Sequence, residues 1–347
     1  LQHLLKTIIA IAVLSGSICL AAAAIWLHSE LQTPYYGAQS PEIYIDIARG
    51  MSTNQIANLL VISGALRSRL PFIVYLRYKG LGRRVQAGEY RFSSPATPKQ
   101  VAQRLIQGDV YFLLVTVPEG LTARETVDLI AQKGLGKHDE MEQALQRTDW
   151  IRDLDPRAQS LEGYLFPETY HFSRKSSSEM IIKTMVDQFR LRFAAISRDN
   201  PLQPGWSLAK TVILASMVEK EAKKVEEGPL VASVFANRLA KRIPLACDAT
   251  IIYAMKLAGT YRGNLSKEDL RMDSPYNTYL HLNLPPSPIC NPGANSIRAA
   301  INPASTDYLY YVARNDGTHQ FSKDLSSHID AVNRYQKSIA RRNRKAH

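Results

Sequence analysis

Cysteine is scarce, with three in 347 residues. That is too few for a disulfide scaffold, and no two stand in a CxxC spacing that would hold zinc or a redox centre. Histidine is also sparse, and His281, His319 and His328 lack the HExxH spacing that sets two imidazoles on one helix face to take a metal. No metal or cofactor is expected. Acidic residues fall short of basic ones, 31 against 43, which gives a formal charge of +12 and a pI near 9.5. Such an excess attracts polyanions: nucleic acid, anionic lipid, or an acidic cell-wall polymer. Glycine and proline number 18 each, too few for a collagen-like or low-complexity chain, while 45% hydrophobic residues are enough to build cores. At roughly 100–200 residues per domain the length predicts two domains.

Charge is absent altogether from Thr7 to Leu27, TIIAIAVLSGSICLAAAAIWL. A helix of about 21 residues crosses a hydrocarbon core of roughly 30 Å. Residues 7–27 therefore read as a transmembrane anchor, with 1–6 as a cytoplasmic N-terminus and the remainder exported. A cleaved signal peptide is the alternative, since Ala22-Ala23-Ala24 offers a cleavage-like site. Trp26 suits an interfacial belt. Cys19 follows Ile18 where a lipidation site needs a small residue, so it reads as a membrane hydrophobe. Export makes the membrane a partner and removes the chain from cytosolic nucleic acid, which is not expected as a partner. Cys247 and Cys290 could pair there or remain buried thiols.

Residues 28–40, with Pro34 and Gly37, read as a linker. From 41 to 112 short strands and helices alternate as a small α+β module. Strands are expected over Glu42–Ile47 and Gly88–Phe92. Helices follow Ser52 or Thr53, cover Leu70–Lys79, and run from Thr97-Pro98 to Gly108. Val110–Val117 reads as a further strand. The second half, 113–334, is mainly helical, with apolar residues at helical spacing over Met180–Ile196, Leu208–Glu221, Pro229–Leu239 and Ala249–Leu257. Between Ser274 and Gly293 five prolines mark a long ordered loop. Residues 335–347 are a basic tail.

The helix LAKTVILASMVEKEAKK carries a carboxylate on its apolar side. With Ile213 at zero and about 100° per residue, Ile213, Leu214, Met217 and Val218 together average near 70°, Glu221 falls near 80° and Glu219 near 240°. Glu221 thus continues the apolar stripe, and a carboxyl drawn toward apolar surface keeps its proton to higher pH, as a general acid must. The competing expectation is that the helix frays first and leaves Glu221 solvated, or paired with Lys224 or Arg238. Glu219 is placed to pair with Lys223 or to bond the long loop, and is the fallback acid. In that loop Tyr276 and Tyr279 can stack on sugar faces, and Asn277 and Thr278 can bond hydroxyl or acetamido groups. Asp248 reads first as a helix N-cap and second as a substrate contact.

These segments resemble the YceG-like family of membrane-bound endolytic murein transglycosylases. The resemblance is carried by Ala215–Glu221 (ASMVEKE), Val231–Leu239 (VASVFANRL), Ser274–Tyr279 (SPYNTY), Leu284-Pro285-Pro286, Asn291-Pro292-Gly293 and Tyr308–Ala313. Upstream, Ala87–Tyr90, Pro118-Glu119-Gly120 and Glu162–Tyr170 (EGYLFPETY) also match. The resemblance implies a membrane anchor, a LysM-like module at 41–112 and a lysozyme-like catalytic domain at 113–334. It further implies cleavage of the MurNAc–GlcNAc β-1,4 bond within peptidoglycan glycan strands to leave 1,6-anhydro-MurNAc ends. Peptidoglycan synthases are the implied partners, and the cell inner membrane, with the catalytic part outside the cytoplasm, is the implied location. Glu221 becomes the single catalytic acid. The chain departs from the family where Ala246-Cys247-Asp248-Ala249 replaces Gln-Ser/Thr-Asp-Pro, and where Asn283 and Ser287 replace glycines, which puts substrate affinity in doubt. A hydrolytic muramidase with Asp248 positioning water, and a non-catalytic wall-binding scaffold, are the rival readings.

Overall fold

The computed structural model describes residues 2–37 and 41–337 and divides into two compact units, Leu1–Leu113 and Leu114–His347. The fold is α+β, with helices predominating.

The first unit begins with α1 (Gln2–Gln32), of which Leu4–Gln32 is apolar and long enough to cross a membrane, with none of its most apolar stretch covered by protein. The expected linker at 28–40 overlaps this helix over residues 28–32, and its residues 38–40 lie outside the described residues. The helix runs on through residue 32 because nothing breaks it before Pro34, which lacks an N–H and disfavours helical geometry at Thr33. Beyond it Tyr35 pairs with Ala96 through two backbone bonds.

After α1 come β1 (Ile43–Ile47), α2 (Thr53–Ile62), α3 (Arg69–Tyr78), β2 (Gly88–Phe92) and α4 (Pro98–Gln107). β1 and β2 are antiparallel, with Ile45 opposite Tyr90. The two-residue period of β1 turns Ile43, Ile45 and Ile47 inward onto Leu60, Phe72 and Leu105. Capping boxes start α2 (Ser52 with Gln55) and α4 (Thr97 with Gln100), each satisfying two helix-end N–H groups. Gly108, at φ 70°, closes α4 in the left-handed conformation that glycine adopts without penalty.

The second unit contains β3 (Leu113–Thr116), α5 (Ala123–Gln132), α6 (His138–Ala144), β4 (Thr169–Phe172), α7 (Ser178–Asp199), α8 (Leu208–Glu221), α9 (Gly228–Ala240), α10 (Asp248–Leu257), α11 (Ala294–Ile301), β5 (Tyr310–Ala313), β6 (His319–Ser322) and α12 (Leu325–Val332). β3 pairs with β4, and β5 with β6 in an antiparallel hairpin. The expected strand Val110–Val117 shortens to the four residues of β3.

α8 is the central helix. Every residue from Thr211 to Val218 is buried, as befits a helix enclosed on all sides, and α9, α10 and α11 pack against it. The Ser274–Gly293 segment contains no regular helix or strand and is held by side-chain bonds. Most of the basic tail, 338–347, lies outside the described residues.

Candidate active site

Ser207 caps the start of α8 by accepting the Lys210 N–H, and Glu221 is its last helical residue. The helix does not fray before it: the N–H of Ala222 still donates to the Val218 carbonyl at 2.8 Å. The Glu221 carboxyl turns inward, where the Cys247 thiol donates to its Oε1 at 3.2 Å and the Tyr311 hydroxyl forms a second bond. Burial pushes its pKa up. The Cys247 and Tyr311 bonds and the nearby His319 oppose that shift, and the charge of Asp248 adds to it. Burial and the Glu221 charge in turn push the Cys247 thiol and the Tyr311 hydroxyl well up, so both remain donors. Neither Lys224 nor Arg238 pairs with Glu221. Arg238 instead donates to the carbonyls of Leu309 at 2.6 Å, Pro244 at 3.1 Å and Leu245 at 2.9 Å.

The hairpin of β5 and β6 supplies residues that sequence reasoning missed. Tyr311 sits on β5, and its ring meets that of His319 on β6 edge-on at 5.4 Å. Glu227, just before α9, grips His319 twice, accepting its backbone N–H at 2.8 Å and bonding its Nδ1 at 2.7 Å. Asn237 donates to the carbonyls of Thr306 and Tyr308. The VFANRL segment thus fastens the strand that carries Tyr311, and through Arg238 also holds the residues leading to Cys247. A signal for the hairpin was present: YLYYVA and HQFS flank Asn315-Asp316-Gly317, a turn sequence between two β-prone runs.

The loop candidates separate. Tyr279 donates to Asp248 Oδ1 at 2.5 Å, so these two stand together near Glu221, and the exposed Asp248 faces solvent. Asp248 is the first residue of α10 rather than its cap, a position held by Cys247 without a side-chain capping bond. Tyr276 is partly buried, bonded to Ser287 at 2.7 Å and edge-on to Tyr253 at 5.0 Å, so it braces the loop. Asn277 and Thr278 are corrected as substrate contacts. Both are buried, and their polar atoms are taken up inside: Asn277 donates to the Leu270 and Met272 carbonyls, and Thr278 accepts the Cys247 N–H at 3.0 Å. Thr278 therefore positions Cys247. The two buried cysteines have separate partners, Cys290 bonding the Ser216 carbonyl at 3.3 Å, and both are free thiols.

Glu219 points away from Glu221 and accepts the Gly293 N–H at 2.9 Å, tying the end of the loop to α8. Burial and the Glu219 charge push Glu119 up beside it.

A second buried carboxyl belongs to Glu162. It accepts the Ala123 N–H at the start of α5 at 2.9 Å and the Tyr253 hydroxyl at 3.2 Å. Burial pushes it up to about 8. Nearby, Asn291 accepts the Gly163 and Leu165 N–H groups, so the EGYLF and NPG segments hold one another.

A carboxyl that keeps its proton to higher pH than an exposed one, bonded by two donors at the end of an enclosed helix, is suited to acid–base chemistry. A family model described as YceG-like matches residues 45–334, and the chain belongs to the YceG-like family. It is 33% identical over 309 residues to the endolytic murein transglycosylase of Bacillus subtilis strain 168, covering 84% of each chain. The endolytic murein transglycosylase of Streptococcus pneumoniae serotype 2 strain D39 is 29% identical over 308 residues, 78% of this chain and 54% of that protein, so this chain spans about half the pneumococcal relative's length. The crystal structure of a yceG-like protein from Listeria monocytogenes matches with a TM-score of 0.57 at 30% identity, covering 84% of this chain and 98% of that one.

Proposed function

We propose that the chain is an endolytic peptidoglycan lytic transglycosylase with Glu221 as its catalytic acid. The observation that carries this reading is the desolvated Glu221 carboxyl held by Cys247 and Tyr311 in a chain similar to proteins named for that activity. The protonated carboxyl donates to the glycosidic oxygen as the bond from MurNAc C1 breaks. The resulting carboxylate then takes the proton of the C6 hydroxyl as that oxygen closes on C1, giving the 1,6-anhydro end and restoring the acid. No water is consumed and no covalent sugar–enzyme intermediate forms, so one carboxyl suffices where hydrolysis commonly uses two. Cys247 and Tyr311 aim the carboxyl and stabilise its charged form midway. Tyr279 and Asp248 stand at the rim as substrate contacts.

A second reading is favoured by one observation: Asp248, fixed by Tyr279, places another carboxylate close to Glu221. Were it to orient a water, the product would carry a hydrolysed reducing end.

The same reading makes α1 an anchor in the cell inner membrane, with residues 113–334 acting outside the cytoplasm. It makes 41–112 a LysM-like wall-binding module, and peptidoglycan synthases the neighbours whose strands are cut. Digestion of purified glycan strands, with mass spectrometry of the products, tests the proposal. Anhydro ends from the wild type and none from Glu221→Gln are expected. Reducing ends alone would establish the hydrolytic reading, and an uncut substrate would favour a scaffold.

A further inference from the structure

A cleft of about 810 Å³ opens in the second unit away from the Glu221 carboxyl. Arg157, Gln159, Gln203, Trp206, Lys210 and Asn283 stand in its wall. Arg157 and Lys210 are exposed, and among the described residues neither side chain makes an ion pair or hydrogen bond. The acids of the same wall offer them no partner. Asp155 is buried with its two oxygens on the Arg157 N–H at 3.1 Å and the Tyr164 hydroxyl at 2.7 Å. Glu162 has both oxygens bonded and holds its proton to about pH 8. The cleft therefore presents two exposed cations without an ion-pair partner, against the buried Asp155 of the same wall, with amides and one indole beside them.

Its position relates it to the acid. Lys210 and Glu221 are eleven residues apart on α8, three turns plus about 20°, so they lie on one stripe of the helix about 16 Å apart along its axis. The Pro-rich segment also joins the two places: Tyr279 bonds Asp248 near Glu221, and Asn283 lines the cleft. Asn283 adopts φ 80°, a left-handed conformation costly for most residues and tolerated by asparagine, which turns the chain into the cleft wall. In a peptide-bearing strand the lactyl carboxyls of MurNAc are taken up in amide bonds, so the sugar backbone itself gives two unpaired cations nothing to neutralise. Stem peptides carry carboxylates and amides, and an extended peptide of four or five residues spans about 13–18 Å, the separation of the cleft from the acid.

We propose that this cleft binds the peptide branch of the glycan substrate, with Arg157 and Lys210 pairing its carboxylates and Gln159, Gln203 and Asn283 facing its amides. The assignment rests on the murein reading above. It deepens that reading, since the enzyme would then select strands that still bear their peptides.

The test separates binding from cleavage. Glu221→Gln protein is titrated with peptide-bearing glycan strands and with strands of the same length stripped of peptides by an amidase, their exposed lactyl carboxyls then converted to primary amides. The account predicts a Kd about tenfold lower for the peptide-bearing strands, the effect of two ion pairs at a partly exposed site. It further predicts that adding Arg157→Ala and Lys210→Ala abolishes this difference, and that the charge-preserving pair Arg157→Lys and Lys210→Arg restores most of it. Equal affinity for the two strands, or a preference that survives loss of both cations, would overturn the proposal. Because both positions are exposed, folding of the variants can be verified by circular dichroism. Cleavage of either strand by the wild type, assayed in parallel, tests the lytic reading separately: failure there would count against the activity, whereas failure in the titration counts against the peptide site.

Discussion

Glu162 and Glu221 are both carboxyls withdrawn from water within one unit, and burial raises the pKa of each. They differ in their partners. Glu162 is met by a backbone N–H at the start of α5 and by a tyrosine whose ring is packed against the loop, so it joins three segments of the interior. Glu221 is met by a thiol and a phenol from distant parts of the chain, and an exposed Asp248 stands close by. Desolvation alone therefore does not mark a catalytic group. What separates the two is what holds them: the oxygens of Glu162 are taken up by the interior groups they join, whereas Glu221 is held by side chains beside the exposed Asp248.

Exchanging the two carboxyls for amides gives the largest contrast. Glu221→Gln should lower turnover on glycan strands by about a thousandfold or more, near the upper range for general acid catalysis, with melting temperature little changed. Glu162→Gln should leave measurable cleavage, and its changes should appear in stability. Equal losses of turnover in the two variants would erase the distinction.

Arg238→Ala tests how Glu221 is supported. Three carbonyls lose their donor, and the segments carrying Tyr311 and Cys247 loosen together. A fall in kcat of about ten- to a hundredfold is expected, with a lower melting temperature. Arg238→Lys should recover only part of it, since an ammonium lacks the planar fork. Full activity in Arg238→Ala would show that the hairpin needs no such clamp.

The pH profile sharpens the role of the thiol. Catalysis needs the protonated acid, so kcat/KM should fall as pH rises through the Glu221 pKa, which lies above the ordinary 4.5. The Cys247 bond favours the carboxylate and lowers that pKa. Cys247→Ala should accordingly move the falling limb to higher pH, and Cys247→Ser should return it toward the wild type. A limb that stays in place in Cys247→Ala would contradict the bond's assigned effect.

For Glu162 the linkage appears in stability. Unfolded, its carboxyl ionises near 4.5, whereas folded it keeps its proton to about 8. Unfolding between these values releases a proton, so its contribution is complete below 4.5 and is lost as pH rises toward about 8. Thermal melts across that window should show a shallower decline for Glu162→Gln than for the wild type.

The smallest effect concerns Ala246, which precedes Cys247 at φ 48°, a left-handed geometry that burdens a β-carbon. Ala246→Gly should raise the melting temperature by about 1–3 °C, the shift that a fraction of a kcal/mol gives a unit of this size. A lower melting temperature would indicate that the alanine methyl packs usefully.

The direction of Glu221 was legible because it depends on one local period: a wheel over the residues of α8 placed it with Leu214 and Met217, and the helix persists to that residue. The first-unit strands and helices were legible for the same reason, through alternation and capping. Tyr311 was not, because its meeting with Glu221 joins residues far apart in sequence, and periodicity within a segment carries no information about which segments meet. Asn277 and Thr278 misled in another way. Polar residues in a loop signal hydrogen bonding but not whether the partner is a ligand or the loop's own backbone. The length of α1 was underestimated because absence of charge set its end, whereas the backbone continued to the neighbourhood of Pro34.

Glycan strands digested to completion by the wild type and by Glu221→Gln, with the ends resolved by mass spectrometry, test the central claim most directly. The account predicts 1,6-anhydro-MurNAc ends from the wild type and none from the variant. Anhydro ends produced at an undiminished rate by Glu221→Gln would contradict it.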